Sequence, residues 1–448
     1  MQKKAQKKQT TRKLNRRQFL KAGTAGLGAA ALGTIPGKVF GKAPAYNKGT
    51  TLSILYGTFF IAPAQDLMKK QVQEWGKMAG VKASIDFLSW PDLQAKIGAV
   101  IQAGGMDITE LMVYWNYLYK DQLVDVTDLA EEIGKAGGGY EPYVLNSGPV
   151  NGRYYGVPTG TSLGTMAYRI SWFKEVGVEN AEDGNKLDLT WDEYHEIAKK
   201  LKAKGKPFGQ ALGHSTGDPP SFCYAYMWCN GAMEVDKDGK TVRFNTPEFV
   251  EAMEKFIQAW KDGYDTTGTS WDDSNNNRAF LSNQISCTFN GSSIYFAAKK
   301  NHPDIAKDTH HMLMPRGVSG RWYRLGTRHM AVFKKSKNIE AAKDFMKWWF
   351  QDEQYGTWLR IQQGYHLQHV QKYADDPMWF EDPKMTPYRN VAKYGRNIGY
   401  AGPPNRKAAL AQAKYIIVDT FAKAVQSGDA KGSIKWGAKQ LERIYSRG

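Results

Sequence analysis

The histidines are the first residues to consider for metal chemistry, because imidazole is a common metal ligand. Of the eight histidines, only His366 and His369 have a spacing that would place two ligands on one face of a helix. Gly364 precedes them closely and weakens a helical assignment. His310 and His311 are adjacent, and neighbours in an extended chain point to opposite sides. Neither pair predicts a metal site, and we expect the chain to bind no metal and no cofactor.

The three cysteines, Cys223, Cys229 and Cys287, argue against a zinc or iron–sulfur site. They are odd in number and lack a CxxC spacing. Cys223 and Cys229 could form a disulfide in an oxidising compartment. Two buried thiols on one helix are the favoured interpretation.

Sequence motifs for catalysis are missing. The chain contains no GxGxxG after a predicted strand and no phosphate-binding loop, and neither GxSxG pattern, at residues 160–164 and 213–217, stands between a predicted strand and a predicted helix as a nucleophile elbow does. The adjacent pairs Asp272-Asp273 and Asp375-Asp376 look like loop charges, since an acid–base pair needs two carboxyl groups that face each other. The prediction is a protein without enzymatic activity. An exported carbohydrate-active enzyme is the less favoured alternative.

Aromatic residues are abundant, with 14 Trp and 24 Tyr. Their rings combine a flat apolar face with a polar group, which suits protein cores, interfaces and sugar-binding sites alike. The aromatic content therefore permits a sugar site without identifying one.

The first 45 residues have the pattern of an export signal. Residues 1–21 carry nine Lys or Arg and no acidic residue, and the weakly apolar residues 22–35 are too few to span a membrane. Arg16-Arg17, with Phe19-Leu20-Lys21 after them, resemble the twin-arginine motif, and Ala43-Pro44-Ala45 is typical of a cleavage site. We expect a cleaved signal peptide over residues 1–45, transport by the twin-arginine translocase and a periplasmic protein. The alternative is a disordered basic tail or nucleic-acid arm.

The export signal also accounts for most of the positive charge. The whole chain has 61 basic and 44 acidic residues, and eleven of the basic residues lie in residues 1–45. The remaining chain therefore carries a net charge of only +6. This mild charge over about 400 residues predicts no nucleic-acid partner.

The remaining chain alternates between strand and helix patterns. Residues 51–57, 81–88 and 107–113 are predicted strands, with helices over 65–78 and 90–103 between them. This order is typical of a mostly parallel sheet covered by helices. A second set follows, with predicted strands at 165–169 and 285–290 and predicted helices at 190–205 (with a Thr190/Glu193 capping box), 247–262, 338–350, 407–425 and 432–445.

Two segments between these sets could act as hinges. Residues 155–164 are rich in Gly, Pro and small polar residues, and residues 326–330 lie between a turn-rich segment and a strand. Such residues can absorb backbone rotation between two domains. The alternative is that both are ordinary loops.

A family resemblance is carried by the segments in their order along the chain. Together they resemble the extracellular solute-binding proteins of sugar-uptake ABC transporters, the family to which maltose-binding protein belongs. The segments are 105–129 (GMDITELMVYWNYLYKDQLVDVTDL), 151–169 (NGRYYGVPTGTSLGTMAYR), 189–201 (LTWDEYHEIAKKL), 244–263 (FNTPEFVEAMEKFIQAWKDG), 279–295 (AFLSNQISCTFNGSSIY) and 326–349 (GTRHMAVFKKSKNIEAAKDFMKWW).

This resemblance implies a type II, two-lobe α/β fold of the periplasmic-binding-protein kind, each lobe a mixed sheet flanked by helices. It implies a first lobe of residues 46–161 and 329–366, a second lobe of residues 162–325 and 367–448, and three connections between them. It further implies a monomer that captures a carbohydrate or polyol in the cleft and delivers it to a membrane permease. A sugar phosphate or another acidic solute is the alternative ligand.

The resemblance also implies candidate ligand-binding residues. These are Tyr114, Trp115, Asn116, Ser162, Asp218, Trp271, Asp272, Asn290, Tyr295, Arg328, Tyr365 and Arg406.

Two positions depart from the family pattern. Residues 290–293 read Asn-Gly-Ser-Ser where relatives often have Asn-Gly-Pro-Trp, so the stacking role would pass to Tyr295 or elsewhere. Arg328 stands where many relatives have a small residue, and an arginine can bind hydroxyl groups, carboxylates or phosphates. Convergence of Arg169, Arg328 and Arg406 would favour an acidic solute, whereas Trp and Tyr rings around Asp218 would favour a neutral sugar.

Overall fold

The computed structural model describes residues 46–47 and 49–446, and the predicted signal peptide over residues 1–45 lies outside them. Two main sheets and a two-stranded ribbon organise the described residues. Their strands are β1 (Thr51–Gly57), β2 (Lys82–Leu88), β3 (Ile108–Leu111), β4 (Val157–Ser162), β5 (Gly164–Arg169), β6 (Cys287–Gly291), β7 (Thr309–Met312), β8 (Tyr323–Arg324), β9 (Arg328–Val332), β10 (His366–Leu367) and β11 (Gly395–Arg396).

Helices cover both sheets. The α-helices of the described residues are Ala62–Ala79, Trp90–Ala103, Trp115–Tyr119, Thr127–Ala136, Pro142–Ser147, Ile170–Glu175, Trp191–Lys202, Asp218–Cys229, Pro247–Gly263, Asn275–Leu281, Ser293–Asn301, Pro303–Lys307, Ile339–Trp349, Thr357–Arg360, Thr386–Asn390, Arg406–Ala413, Ile416–Ser427 and Ala430–Tyr445. Short 3-10 turns lie at Lys120–Gln122, Gly184–Lys186, Thr266–Ser270, Gln371–Tyr373, Pro377–Trp379, Pro383–Met385 and Val391–Tyr394, with a π turn at Asp352–Gly356.

The first lobe is built on the six-stranded sheet, whose order is β10-β4-β9-β3-β1-β2. β1 pairs in parallel with β2 and β3, as expected when helices connect successive strands. β9 enters from a distant part of the chain and runs antiparallel to both β3 and β4. The sheet is therefore mixed, and it brings the chain around residue 330 back beside the first strands.

The second lobe contains the three-stranded sheet β6-β5-β7, and both of its pairings are antiparallel. The expectation of a mixed sheet in each lobe therefore applies to the first lobe only. The reason is topological, because the long helical stretches between these strands return the chain to either side of β5 in the opposite direction.

Local sequence signals explain several helix boundaries. Thr190 accepts a hydrogen bond from the Glu193 amide while the Glu193 carboxylate accepts one from the Thr190 amide, which is the predicted capping box. The single helix predicted over residues 407–425 is divided in the structure, because Tyr415 has a left-handed backbone conformation (φ 56°).

Three connections join the lobes. The first lies between β4 and β5, where only Leu163 separates the two strands, and the second lies between β8 and β9. The third lies beyond the predicted boundary at residue 366. Gln371 and Lys372 donate backbone hydrogen bonds to Gly139 and Gly137 of the first lobe, so the chain stays on this lobe past β10.

Six histidines are buried, and burial lowers their pKa values. The pKa falls to about 4 for His195 and to about 3 for His311, His329 and His369, and it also falls for His310 and His366. An unfolded chain has histidine pKa values near 6.5. Below that pH the unfolded state binds protons that the folded state excludes, so folding stability falls as the solution is acidified.

We therefore expect the free energy of unfolding to decrease by about 1.4 kcal/mol per pH unit for each such histidine between pH 6 and pH 4. His369→Phe should reduce this pH dependence by the contribution of one histidine. The phenyl ring should be accommodated, because the aromatic rings of Tyr355 and Phe350 already surround this site. Urea unfolding at several pH values measures the slope. His302→Gln at an exposed position is the control and should leave it unchanged. An identical slope in His369→Phe and the wild type would contradict the explanation.

Candidate functional site

A cavity of about 70 Å³ lies between the two lobes at the first two connections. The first lobe contributes residues just after its strands, because Phe60 follows β1 and Met112-Val113 follow β3. Ligands commonly bind at the carboxyl ends of strands in α/β proteins. The second lobe contributes Gly217, Asp218, Ser221, Asp273, Phe289, Asn290, Gly291 and Ser293, and the connections contribute Thr161, Ser162, Leu163, Gly164, Arg324 and Arg328.

Five of the twelve predicted ligand-binding residues lie together on this cavity. They are Ser162, Asp218, Asn290, Arg328 and Tyr365. They come from both lobes and from the connections, and four of them carry side-chain groups that already form hydrogen bonds with one another or with cavity neighbours.

Tyr114, Trp115 and Asn116 point elsewhere. The Tyr114 hydroxyl donates to the Leu325 carbonyl oxygen (2.6 Å), and the Asn116 amide donates to the Gly148 carbonyl oxygen (2.8 Å). Trp115 is buried edge-to-face against the ring of Trp90. The left-handed conformation of Tyr114 (φ 70°) turns the chain after β3, so these side chains pack inside the protein rather than along the cavity.

Trp271 and Asp272 also serve local structure. The Trp271 indole donates to the Thr267 hydroxyl (3.0 Å). Asp272 accepts from the Ser274 and Asn275 amides and so holds the start of helix Asn275–Leu281. The neighbouring residue, Asp273, occupies the cavity wall instead.

Tyr295 and Arg406 complete the predicted set, and neither lines the cavity. The Tyr295 hydroxyl donates to Asp382 (2.8 Å), and Arg406 is exposed at the first residue of its helix. Arg169 pairs with Asp308 (2.9 Å) and not with a cavity residue. Arg169, Arg328 and Arg406 therefore do not converge.

The sequence interpretation missed most of the cavity lining, including the charged or aromatic residues Trp90, Asp273 and Arg324. The adjacent pair Asp272-Asp273 could be recognised in the sequence as candidate site residues. The sequence does not show which of the two carboxylates faces the cavity. Arg324 lies four residues before Arg328 on the same connection. Trp90 begins a helix directly after β2, with Ser89 as its cap, and this places its ring at the end of the strand.

A carboxylate network forms the second-lobe wall. Asp273 accepts hydrogen bonds from the Ser215 hydroxyl (2.7 Å) and from the amides of Asp218 (2.7 Å) and Gly217 (3.1 Å). One oxygen of Asp218, Oδ2, accepts from the amide groups of Asn276 and Asn290, both at 2.9 Å. Burial raises the pKa of Asp273, and burial together with the Asp273 charge raises the pKa of Asp218 well above its usual range.

Arg328 links the first-lobe wall of the cavity to the first connection. Its guanidinium lies over the Trp90 ring, 4.7 Å from the centroid, and donates to the Ser162 hydroxyl (2.8 Å). It also pairs with Glu110 of β3 at 3.6 Å. Burial raises the pKa of Glu110 to about 7, although the Arg328 charge and a hydrogen bond from the Gly57 amide oppose this shift.

Arg324 lies between these two walls and contacts neutral groups. Its guanidinium donates to the Ser221 hydroxyl (2.8 Å) and to the Gln412 side-chain oxygen (3.0 Å). Within the described residues, no carboxylate lies within 4.0 Å of it. Burial lowers the pKa of Arg324, although its usual pKa is so high that it stays charged at neutral pH.

The arrangement suits recognition of hydroxyl groups. Carboxylate and amide oxygens accept from hydroxyl hydrogens, and guanidinium groups donate to hydroxyl oxygens. In the part of the chain that the structure describes, no cluster of three or more His, Cys, Asp or Glu could hold a metal, and no helix is long and apolar enough to cross a membrane. All three cysteines are buried free thiols.

Comparisons with known proteins agree with this fold. The family model described as bacterial extracellular solute-binding protein matches residues 70–387. A probable ABC transporter-binding protein of Deinococcus radiodurans is 23% identical over 428 residues, covering 90% of this chain and 96% of the relative. A putative binding protein of Brucella abortus is 24% identical over 384 residues, covering 82% of this chain and 87% of the relative.

Solved structures share the two-lobe α/β fold. The maltose-bound MalE3 protein of T. maritima superimposes with a TM-score of 0.75 at 20% identity, covering 88% of this chain and 100% of that one. A Thermotoga lettingae ABC transporter solute-binding protein bound to alpha-D-tagatose gives a TM-score of 0.76 at 16% identity, covering 89% and 100%.

The buried pair Arg328–Glu110 yields a stability prediction. Arg328→Gln leaves the Glu110 carboxylate buried without its counter-charge, so we expect a loss of about 3 kcal/mol in the free energy of unfolding at pH 8. Urea unfolding measures it. The double variant Glu110→Gln/Arg328→Gln should recover most of the loss, since neither charge remains. Arg153→Gln, which breaks an exposed pair with Asp125, is the control and should cost at most about 1 kcal/mol. A double variant as unstable as Arg328→Gln would contradict the pairing.

Proposed function

The chain belongs to the bacterial extracellular solute-binding protein family, and we propose that it captures a carbohydrate or polyol between its lobes and delivers it to the permease of an ABC transporter. One observation carries the proposal: Asp218, Asn290, Arg328 and Ser162, from both lobes and the connections, meet on one cavity. Such a convergence of polar groups at a domain junction is typical of a small-molecule site.

The polar groups define how a sugar or polyol would be held. Asp218 keeps one oxygen, Oδ1, free of the amide groups that bind Oδ2, and this oxygen would accept from a hydroxyl. Arg324 and Arg328 would donate to hydroxyl oxygens from the connections. Tyr365 would add a ring edge and a hydroxyl. In this proposal the side chains only hold the solute, and none of them acts as a nucleophile.

Entry of a solute would require the lobes to separate. The cavity of about 70 Å³ is far smaller than the roughly 300–1,000 Å³ of common ligand pockets. Rotation about the connections at Leu163 and around residues 325–327 would open it, and closure on the solute would form the shape that a permease recognises.

Export and assembly form part of the same proposal. The basic and apolar residues 1–45 would direct the protein through the twin-arginine translocase and be removed in the periplasm. The released protein would act as a monomer that meets the membrane permease. Membership of an extracellular family agrees with an exported protein.

We expect the melting temperature to rise with the cognate solute. Binding at a hundredfold excess over Kd adds about 2.7 kcal/mol to the free energy of unfolding. A thermal-shift screen of neutral sugars, polyols and sugar acids measures it. Asp218→Asn should weaken binding of any compound that stabilises the protein. Asp272→Asn is the matched control, because this carboxylate is exposed and lies off the cavity. A screen without any shift, combined with turnover of a polysaccharide, would contradict the proposal and favour an enzyme.

Lobe closure can be measured with two spin labels. The native cysteines are buried, so cysteines introduced by Asp66→Cys on the first lobe and Arg278→Cys on the second, both exposed positions, should be labelled selectively. We expect the inter-label distance distribution to narrow and shorten when the stabilising solute is added. An unchanged distribution would contradict hinge closure. Two labels within the second lobe, at Arg278→Cys and Lys261→Cys, provide the control and should report no change.

A further inference from the structure

Arg324 forms no ion pair within the described residues, although the carboxylates of Asp218 and Asp273 line the same cavity. Arg324 contacts a hydroxyl, a side-chain amide and, at 3.4 Å, the Thr216 carbonyl oxygen. Its Nε has no hydrogen-bond partner among the described residues. A cation taken out of water without a counter-charge is costly, so a cavity wall of this kind favours a guest that brings negative charge.

Arg328 also has a hydrogen-bond donor that the described residues do not use. It is 7% exposed, and Glu110, its one carboxylate partner in the part of the chain that the structure describes, lies at the loose distance of 3.6 Å. Its Nε likewise lacks a partner among the described residues. Arg324 and Arg328 leave the same connection four residues apart and both line the cavity. The connection therefore presents two guanidinium groups with donors to spare.

The acceptors on the second-lobe wall are largely used. Both oxygens of Asp273 are occupied by three donors, and Oδ2 of Asp218 is occupied by two amide groups. This leaves Oδ1 of Asp218 for a hydroxyl group. The side-chain oxygens of Asn290 and Ser293 each already accept one hydrogen bond, at 3.1 Å, and have one lone pair left for a hydroxyl. Burial raises the pKa of Asp218, which limits the negative charge on this wall.

The ring of Trp90 is largely covered by its neighbours. The Arg328 guanidinium lies over the Trp90 ring. The backbone of Gly57 lies so close to this ring that an added Cβ would be 2.4 Å from the Trp90 Cζ2 atom. Phe60, Phe289 and Tyr365 also line the cavity, so ring faces are present there beside the charged groups.

We infer that the solute is a polyhydroxy monocarboxylate, an aldonate or uronate, with its carboxylate bound by Arg324 and Arg328 and its hydroxyls facing Asp218 and Asn290. This inference rests on the proposed function and narrows its solute class. A planar guanidinium matches a carboxylate with two parallel hydrogen bonds. A phosphate monoester carries about −1.5 to −2 at neutral pH and would be repelled more strongly by the nearby Asp273.

The test compares each acid with its neutral counterpart by isothermal titration of the wild-type protein. The pairs are gluconate with glucitol and glucuronate with glucose, and glucose 6-phosphate is the phosphate arm. We expect at least one acid to bind about 10- to 100-fold more tightly than its counterpart, the gain typical of hydrogen bonds to a charged group. Arg324→Gln should remove that advantage, so that the acid binds no more tightly than its neutral counterpart to the variant. Arg316→Gln, an exposed arginine off the cavity, should change neither.

The outcomes separate this inference from the proposed function. A neutral compound that binds as tightly as its acid overturns the inference and leaves the proposed function standing. Tighter binding of glucose 6-phosphate, or an acid advantage that survives Arg324→Gln, also overturns it. If no neutral or acidic compound binds, both fail. The wild-type comparison decides the matter even where Arg324→Gln does not fold.

Discussion

The burial of charged groups at the junction of the two lobes is the constraint on which the site depends. Arg328 is buried where β9 returns to the first sheet, and it remains tolerable there because Trp90, Ser162 and Glu110 surround it. These three partners come from a helix start, the first connection and β3. A single guanidinium therefore fixes the relative position of three chain segments at one end of the cavity.

The second-lobe wall follows the same rule. Asp273 lies at the start of helix Asp218–Cys229 and accepts from two of its unpaired backbone amides, while Asp218 is held by the amides of Asn276 and Asn290. Most of the hydrogen-bonding capacity of this wall is used internally, which makes it rigid. The few groups left free are then presented in fixed positions, as a binding site requires.

Sequence patterns predicted the parts of this structure that depend on local chemistry. The strand and helix order of the first lobe and the capping box at Thr190 are examples, since periodicity and caps act over a few residues. No pattern in the sequence predicted the left-handed backbone turn at Tyr114. This turn directs the side chains of Tyr114, Trp115 and Asn116 away from the cavity. The sequence also could not show whether Asp272 or Asp273 lines the cavity, because two adjacent residues of the same type differ only in the direction of their side chains. The third connection lies later than predicted because backbone pairing with residues 137–139 extends the first lobe.

Hydrogen exchange of the backbone amides, followed by mass spectrometry, tests most directly whether the inter-lobe cavity is the binding site. The protein is compared with and without the solute that raises its melting temperature most. The account predicts slower exchange in residues 161–164, 217–221 and 289–293, which line the cavity from the first connection and the second lobe. Protection confined to the separate groove beside helix Trp191–Lys202, with unchanged exchange around the cavity, would contradict it.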